Sequence, residues 1–273
     1  MGRCGVNAWA RGAIDSPPSL DEARVIVAPL IEHLRVETAP ADREAWVDRA
    51  ALCDPATGPM ADLHARFVSA GFGPNRRAAA ASLLLRHGWA SAYIVASWLA
   101  YGLVVRIDDY ALKFSKMTLV EGIWIKAGRI EQPMSKAAGR IAVARHLRRF
   151  TDDVVEAQHA WSRMSRHALW AMATSSWAAQ FVSIGEKMNC RDAAVEEARA
   201  IIALDRETRS AAPTLYEVTG VAGSTICQRR AACCLYFKGP RAQFCASCPI
   251  IPPADRLIRN RAWANASATE RVA

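Results

Sequence analysis

The chain has 273 residues, of which 52% are hydrophobic and 22% charged. That balance excludes an intrinsically disordered protein, and the length is enough to bury a core without disulfide support. Lys and Arg number 35 against 26 Asp and Glu, so the net charge of +9 favours anionic partners without specifying nucleic acid.

The opening segment Met1–Asn7 has no long apolar stretch, which predicts no secretory signal and a cytoplasmic protein whose thiols stay reduced. Met1–Pro18 reads as a loose arm. Ser19 and Glu22 have capping-box spacing, and Val25, Ile26, Leu30, Ile31 and Leu34 follow at helical intervals. A first helix is therefore expected over 20–36, kinked at Pro29. Helices are also expected over 41–52, with Pro40 at its start, and over 59–70, stopped by Gly71-Phe72-Gly73-Pro74.

The run 76–105 reads as helical with a joint at Gly88. Its apolar part, Ala90–Val105, falls short of the ~20 residues that span a bilayer, so it reads as a core helix. Val120–Ile125 is rich in β-branched and aromatic residues. Ala127-Gly128 is a turn signal, and 129–132 can return as the second strand of a hairpin. Helices follow over 136–149, 152–186 with a break, and 192–208. Arg140, Arg145, Arg148 and Arg149 share a stretch without acids, which predicts a basic helix face, either simply solvated or turned to an anionic partner or a membrane surface. Ala264–Ala273 reads as a frayed tail.

The expected fold class is mainly α, with a helical substrate lobe, a small β hairpin or sheet, and a short C-terminal module built on cysteines. The expected division is 1–60 as an N-terminal helical region and 61–222 as the main helical domain. Residues 223–252 form the cysteine module, and 253–273 a C-terminal helix or tail.

Four of the eight cysteines, Cys233, Cys234, Cys245 and Cys248, follow the spacing Cys-Cys-x10-Cys-x2-Cys. Clustered thiols in a reducing compartment point to a metal or cluster rather than to disulfides. A Cys-x2-Cys loop turns two sulfurs to one side, and Pro249 stops the chain from continuing as a helix. Adjacent side chains on a helix diverge by about 100°, so Cys233 and Cys234 serve one centre only if the backbone bends or the centre is wide. The spacing favours an iron–sulfur cluster over a single zinc ion, with a disulfide or no centre as further options. No Asp or Glu occurs from Ile226 to Ile250, whereas Arg229, Arg230, Lys238 and Arg241 do. These four are candidate contacts for a negatively charged cluster or substrate.

The segment Arg229–Phe237 with Cys245-Ala246-Ser247-Cys248-Pro249-Ile250 resembles the C-terminal signature of the FhuF-like ferric siderophore reductases. Trp161–Ile184 also looks like the helical part that these reductases share with siderophore synthetases. The resemblance implies one 2Fe–2S cluster held by Cys233, Cys234, Cys245 and Cys248. It further implies a cytoplasmic enzyme, peripheral at the inner membrane if anchored at all, that reduces iron(III) in a hydroxamate-type siderophore. An external donor, such as a ferredoxin, flavodoxin or flavin reductase, is then needed. Gly220-Val221-Ala222-Gly223 lacks the third glycine of a dinucleotide loop and reads as a flexible lead-in.

The alternatives are a zinc-stabilised binding module and an iron–sulfur siderophore sensor without turnover. Cys4, Cys53, Cys190 and Cys227 read as packed thiols, and His159 and His167 as satisfied histidines. Trp170 and Trp177 read as core, and Asp108-Asp109 and Asp152-Asp153 as acids at helix starts. No nucleic-acid-binding motif is present.

Overall fold

The computed structural model describes residues 17–56, 58–70, 75–221, 223–239 and 243–270. The arm at 1–16, with Cys4, the breaker cluster at 71–74 and Arg241 lie outside the described residues. The molecule is mainly helical with two small sheets.

Helix α1 (Leu20–Val27) opens with the expected capping box. The Ser19 hydroxyl accepts from the Glu22 N–H at 3.2 Å, and the Glu22 carboxylate accepts from the Ser19 N–H at 2.8 Å. The helix stops at Val27, earlier than expected. Pro29 takes the chain through a 3-10 turn, and Arg35–Glu37 is a strand, β1. The expected helix over 41–52 is also mostly absent. Strand β2 (Trp46–Asp48) occupies its middle, and only Arg49–Leu52 coil as α2. Both corrections have one cause. The local helical pattern loses to long-range pairing, because β1 runs parallel to β4 (Val120–Glu131) and β2 antiparallel to β3 (Val104–Phe114). The four strands are ordered β1-β4-β3-β2.

The hairpin is therefore longer than expected, and its turn lies at 115–119 rather than at Ala127-Gly128. Gly128 sits inside β4 opposite Ile107, where a Cβ would come within 2.5 Å of the Arg106 carbonyl. Glycine serves close backbone approach there, not a reversal.

Helix α3 (Gly58–Ser69) matches its expected range. The run 76–105 divides at Gly88 into α4 (Arg76–His87), a 3-10 turn and α5 (Ala92–Tyr101). Val104 and Val105 already belong to β3. Most of α5 is buried, as a core helix requires, and no helix among the described residues is long and apolar enough to cross a membrane.

Helix α6 (Lys136–Ser162) runs unbroken through Phe150 and Thr151. The break falls at Arg163 in the left-handed region (φ 59°), and Ser165 caps α7 (Arg166–Lys187). Asp108-Asp109 lie in β3 and Asp152-Asp153 inside α6, so neither pair opens a helix. They meet arginines instead: Asp108 binds Arg106 and Arg149, and Asp153 binds Arg49. The basic face is largely neutralised in the same way. Arg140 chelates the buried Glu197 of α8 (Arg191–Ile202) at 2.6 and 3.0 Å, and Arg148 binds Asp205 and Glu207 around α9 (Arg206–Ser210). These partners come from distant sequence, which is why a local count of charge missed them.

Helix α7 is buried along most of its length and carries Trp170 and Trp177, which meet edge-on at 5.9 Å. Truncating either to Ala removes roughly 3–5 kcal/mol of packing. Beyond α9, β5 (Thr214–Gly220) and β6 (Gly223–Arg229) form a second hairpin. Gly220 pairs with Gly223, whose φ is 123°, so these two glycines belong to the hairpin rather than to a flexible lead-in. Helix α10 (Pro253–Glu270) packs on β5, and the backbone stays helical through most of the segment expected to fray.

One polar cluster ties α4, β3 and α6 together. The Tyr110 hydroxyl donates to the Phe150 carbonyl at 3.1 Å and lies 2.6 Å from His87 Nε2. Its one proton is thereby used, so His87 donates to it from Nε2. Burial, with the Arg49 charge second, pushes the His87 pKa down to about 3, and burial pushes His64 down to about 4. A histidine whose folded pKa lies below its unfolded value keeps its contribution above about pH 6.5 and loses it as pH falls toward the folded value. Lowering the pH from 7 to 4 is expected to remove about 3 kcal/mol through His87 alone. Urea melts of metal-free wild type and His87→Gln check this, the variant showing the shallower pH slope.

Candidate metal centre

Strand β6 delivers the chain to the first cysteine pair. Immediately after it, the Arg230 N–H donates to the Ser247 carbonyl at 3.0 Å, which docks the start of one cysteine segment on the loop of the other. Cys233 and Cys234 follow outside any helix or strand. Leu235 then enters the left-handed region at φ 60°, an arrangement that costs a non-glycine residue about 1–2 kcal/mol. The turn it makes folds the Leu235 N–H back onto Cys233 Sγ at 3.3 Å and brings the Tyr236 N–H to Cys234. A 3-10 turn at Tyr236–Lys238 completes the reversal.

The second pair sits on a tight loop in which the Cys248 N–H donates to the Cys245 carbonyl at 3.1 Å. Phe244, just before it, stacks on Phe237 at 4.8 Å and 23°, joining the two cysteine segments. Helix α10 holds the loop from the far side. The buried Arg256 donates to the carbonyls of Cys248 at 3.2 Å and Ile251 at 3.1 Å, and Arg259 donates to that of Phe244 at 3.2 Å.

The four sequence-predicted cysteines come into one neighbourhood in which their ionisations are linked: Cys234 with Cys245, and Cys233 with Cys248 and Cys245. Each link joins one cysteine segment to the other. None of the seven described cysteines is in a disulfide. Cys234 and Cys248 are buried, and Cys233 and Cys245 are half-buried. Among the described residues, no three His, Cys, Asp or Glu side chains are grouped closely enough to hold one metal ion.

The electrostatics single out Cys245. The Cys234 thiol donates to it, and Arg230 Nη1 lies 3.4 Å from its sulfur. Together they overcome burial and hold its pKa well below the ordinary thiol range. The counterpart Cys234 is pushed up, by that shared hydrogen bond and by burial, and Cys233 is pushed up mainly by burial.

Sequence reasoning missed two cations here. Arg256 is one. Arg86 on α4 is the other: it is buried, donates to the Ser82 carbonyl at 3.1 Å, lies 5.0 Å over the Phe67 ring and senses the charge of Cys234. Burial lowers its pKa to about 10, and a charged Cys234 opposes that shift. Arg86 is remote in sequence from the cysteines, so only the fold reveals it. For Arg256 a signal existed, since Pro253 is suited to the first turn of a helix starting just behind Cys248-Pro249.

The remaining candidates separate clearly. Arg230 points at a sulfur, Lys238 is exposed on the rim of a cavity, and Arg229 is exposed at the end of β6. Cys227 lines a mainly apolar cavity of about 420 Å³ with Ser247 and Trp263, and burial pushes its thiol up to about 11. It is a packed thiol in that setting, as are Cys190 and the half-buried Cys53. His159 is satisfied by the Met164 carbonyl, 2.6 Å from Nδ1.

The chemistry of the donor set fits a thiolate-held centre: four thiols, no carboxylate between Ile226 and Ile250, and guanidinium and backbone N–H groups beside the sulfurs.

In metal-free protein at pH 6–7, iodoacetamide is expected to modify Cys245 before the other three. Cys234→Ala is expected to raise the pH at which Cys245 reacts, and by more than Arg230→Gln does. Peptide mass spectrometry across a pH series reads both outcomes. Searched against known proteins, the chain matches no family model, no curated protein and no solved structure.

Proposed function

We propose that the protein is a cytoplasmic ferric siderophore reductase whose four clustered cysteines hold a 2Fe–2S cluster. The observation that carries this reading is the meeting of Cys233, Cys234, Cys245 and Cys248 from two chain segments in an acid-free, cation-lined setting. The resemblance of the same cysteines to the FhuF-like signature supplies the substrate class. When bound, a cluster of this type supplies one-electron chemistry.

The residues around it have separable tasks. Arg230 and Arg86 lower the cost of negative charge on the sulfurs, and a buried cation does so more effectively than an exposed one. The N–H groups of Leu235 and Tyr236 donate to the first cysteine pair, which also favours its charged form. Burial of Cys234 and Cys248 keeps water from that side of the site.

The substrate is iron(III) held by hard oxygen donors. One electron converts it to iron(II), which the same donors hold less well and softer ligands can take. No covalent bond of the chelator need break. The electron comes from an external donor of the ferredoxin, flavodoxin or flavin-reductase class.

Anaerobically purified protein is expected to be red-brown, to contain iron and acid-labile sulfide in equal amounts, and to bleach with dithionite. Serine at any of the four cysteines is expected to abolish or alter that absorbance. Prereduced protein mixed with a ferric siderophore is expected to yield iron(II), trapped by a chromogenic chelator, above the free-dithionite control. Colourless protein containing zinc would overturn the cluster. A normal cluster without iron(II) release would overturn the reductase and leave a siderophore-binding sensor.

A further inference from the structure

A cavity of about 440 Å³ lies beside the first cysteine pair, lined by Asn75, Arg76, Arg77, Ser162, Leu235 and Lys238. Its walls come from three elements: the start of α4, the end of α6, and the reversal after Cys234. The size is in the range of small-molecule sites. Arg76, Arg77 and Lys238 are exposed, and none of them pairs with a carboxylate among the described residues. That sets them apart from Arg140, Arg148 and Arg149 on α6, which are tied to Glu197, Asp205, Glu207 and Asp108.

The cavity wall is also ordered. Arg76 lies 5.5 Å over the Trp161 ring, and Trp161 stacks on His64 at 4.0 Å and 7°. Asn75 caps α4 by accepting from the Ala78 N–H at 3.0 Å, which fixes the backbone that carries both arginines. Leu235 belongs to both sites. It lines the cavity, and its N–H donates to Cys233 Sγ. Leu235 is also the chain neighbour of Cys234, so the cavity wall and the first cysteine pair share one short stretch of backbone.

We infer that this cavity seats the ferric chelate and selects complexes of net negative charge, with Arg76, Arg77 and Lys238 facing their outward oxygen atoms. The inference rests on the reductase reading and deepens it. Charge decides the selection, because a neutral hydroxamate complex gains little from three cations whereas a multiply charged anion gains from all of them. The attraction is between exposed groups and so weakens with salt.

Two gallium(III) complexes test it without any redox step: the trianionic tris(catecholate) and the neutral tris(acetohydroxamate). Binding to the full-length protein is read by calorimetry and by quenching of tryptophan fluorescence. The catecholate complex is expected to bind more tightly and to weaken as salt rises. Arg77→Glu with Lys238→Glu is expected to weaken it by about tenfold or more, while Arg77→Lys keeps most of the affinity. An unchanged melting temperature in each variant shows that the fold is intact.

Equal affinity for both complexes, or indifference to the double substitution, overturns the inference even if wild-type protein releases iron(II). Unchanged gallium binding with slower reduction by an acidic ferredoxin also overturns it, because the cations then serve donor docking. Gallium binding that depends on Arg77 and Lys238 in protein that never releases iron(II) sinks the reductase reading and leaves the anion seat standing.

Discussion

Four thiols cannot be gathered cheaply. As thiolates they repel one another, and as buried neutral thiols they give up hydration. The two segments that carry them have little regular structure of their own: a 3-10 turn on one side and a tight loop on the other. They are held together by ties from outside. Arg230 joins β6 to the second loop, the Phe237–Phe244 stack bridges the segments, and Arg256 grips the Cys248 and Ile251 carbonyls. Each neutral hydrogen bond contributes only about 1 kcal/mol net, and the ones from charged guanidinium groups about 1.5–3 kcal/mol. Several are needed to fix two short loops, and each is anchored in a hairpin or helix that is itself packed.

The charge of the chain has a matching distribution. The net excess of cations suggests a protein with a broadly basic surface. In the folded body, however, long-range carboxylates answer many of the arginines, including three of the four on the face of α6. The segment from Ile226 to Ile250 has no acids to answer its own cations. Positive potential is thus left around the cysteine module and the adjoining start of α4, where Arg76 and Arg77 pair with no carboxylate among the described residues.

What could be read from the sequence follows the range of the interaction that decides each feature. The Ser19–Glu22 box, the joint at Gly88 and α3 rest on residues a few positions apart, and each matches its expectation. Strands β1 and β2 do not. Each has three residues, too few to state a β preference, and each exists because a distant strand is there to pair with. The same holds at the site. The cysteine spacing announces the quartet, but the path of the first segment depends on the left-handed turn at Leu235, and nothing in a leucine signals positive φ. Arg86 is invisible for a third reason: an arginine between leucines and a histidine on a helix reads as a surface charge until the cysteine module is laid over it.

The grip of α10 on the cysteine loop has a consequence for biogenesis. Arg256 and Arg259 are translated after Cys248, so while the chain is still emerging from the ribosome the fourth sulfur is present before the guanidinium groups that fix its loop. The helical body can collapse on its own apolar faces as it is made. The loop that carries the fourth sulfur therefore gains its last ties only when the final helix has docked, which makes its ordering a late event in the maturation of the chain.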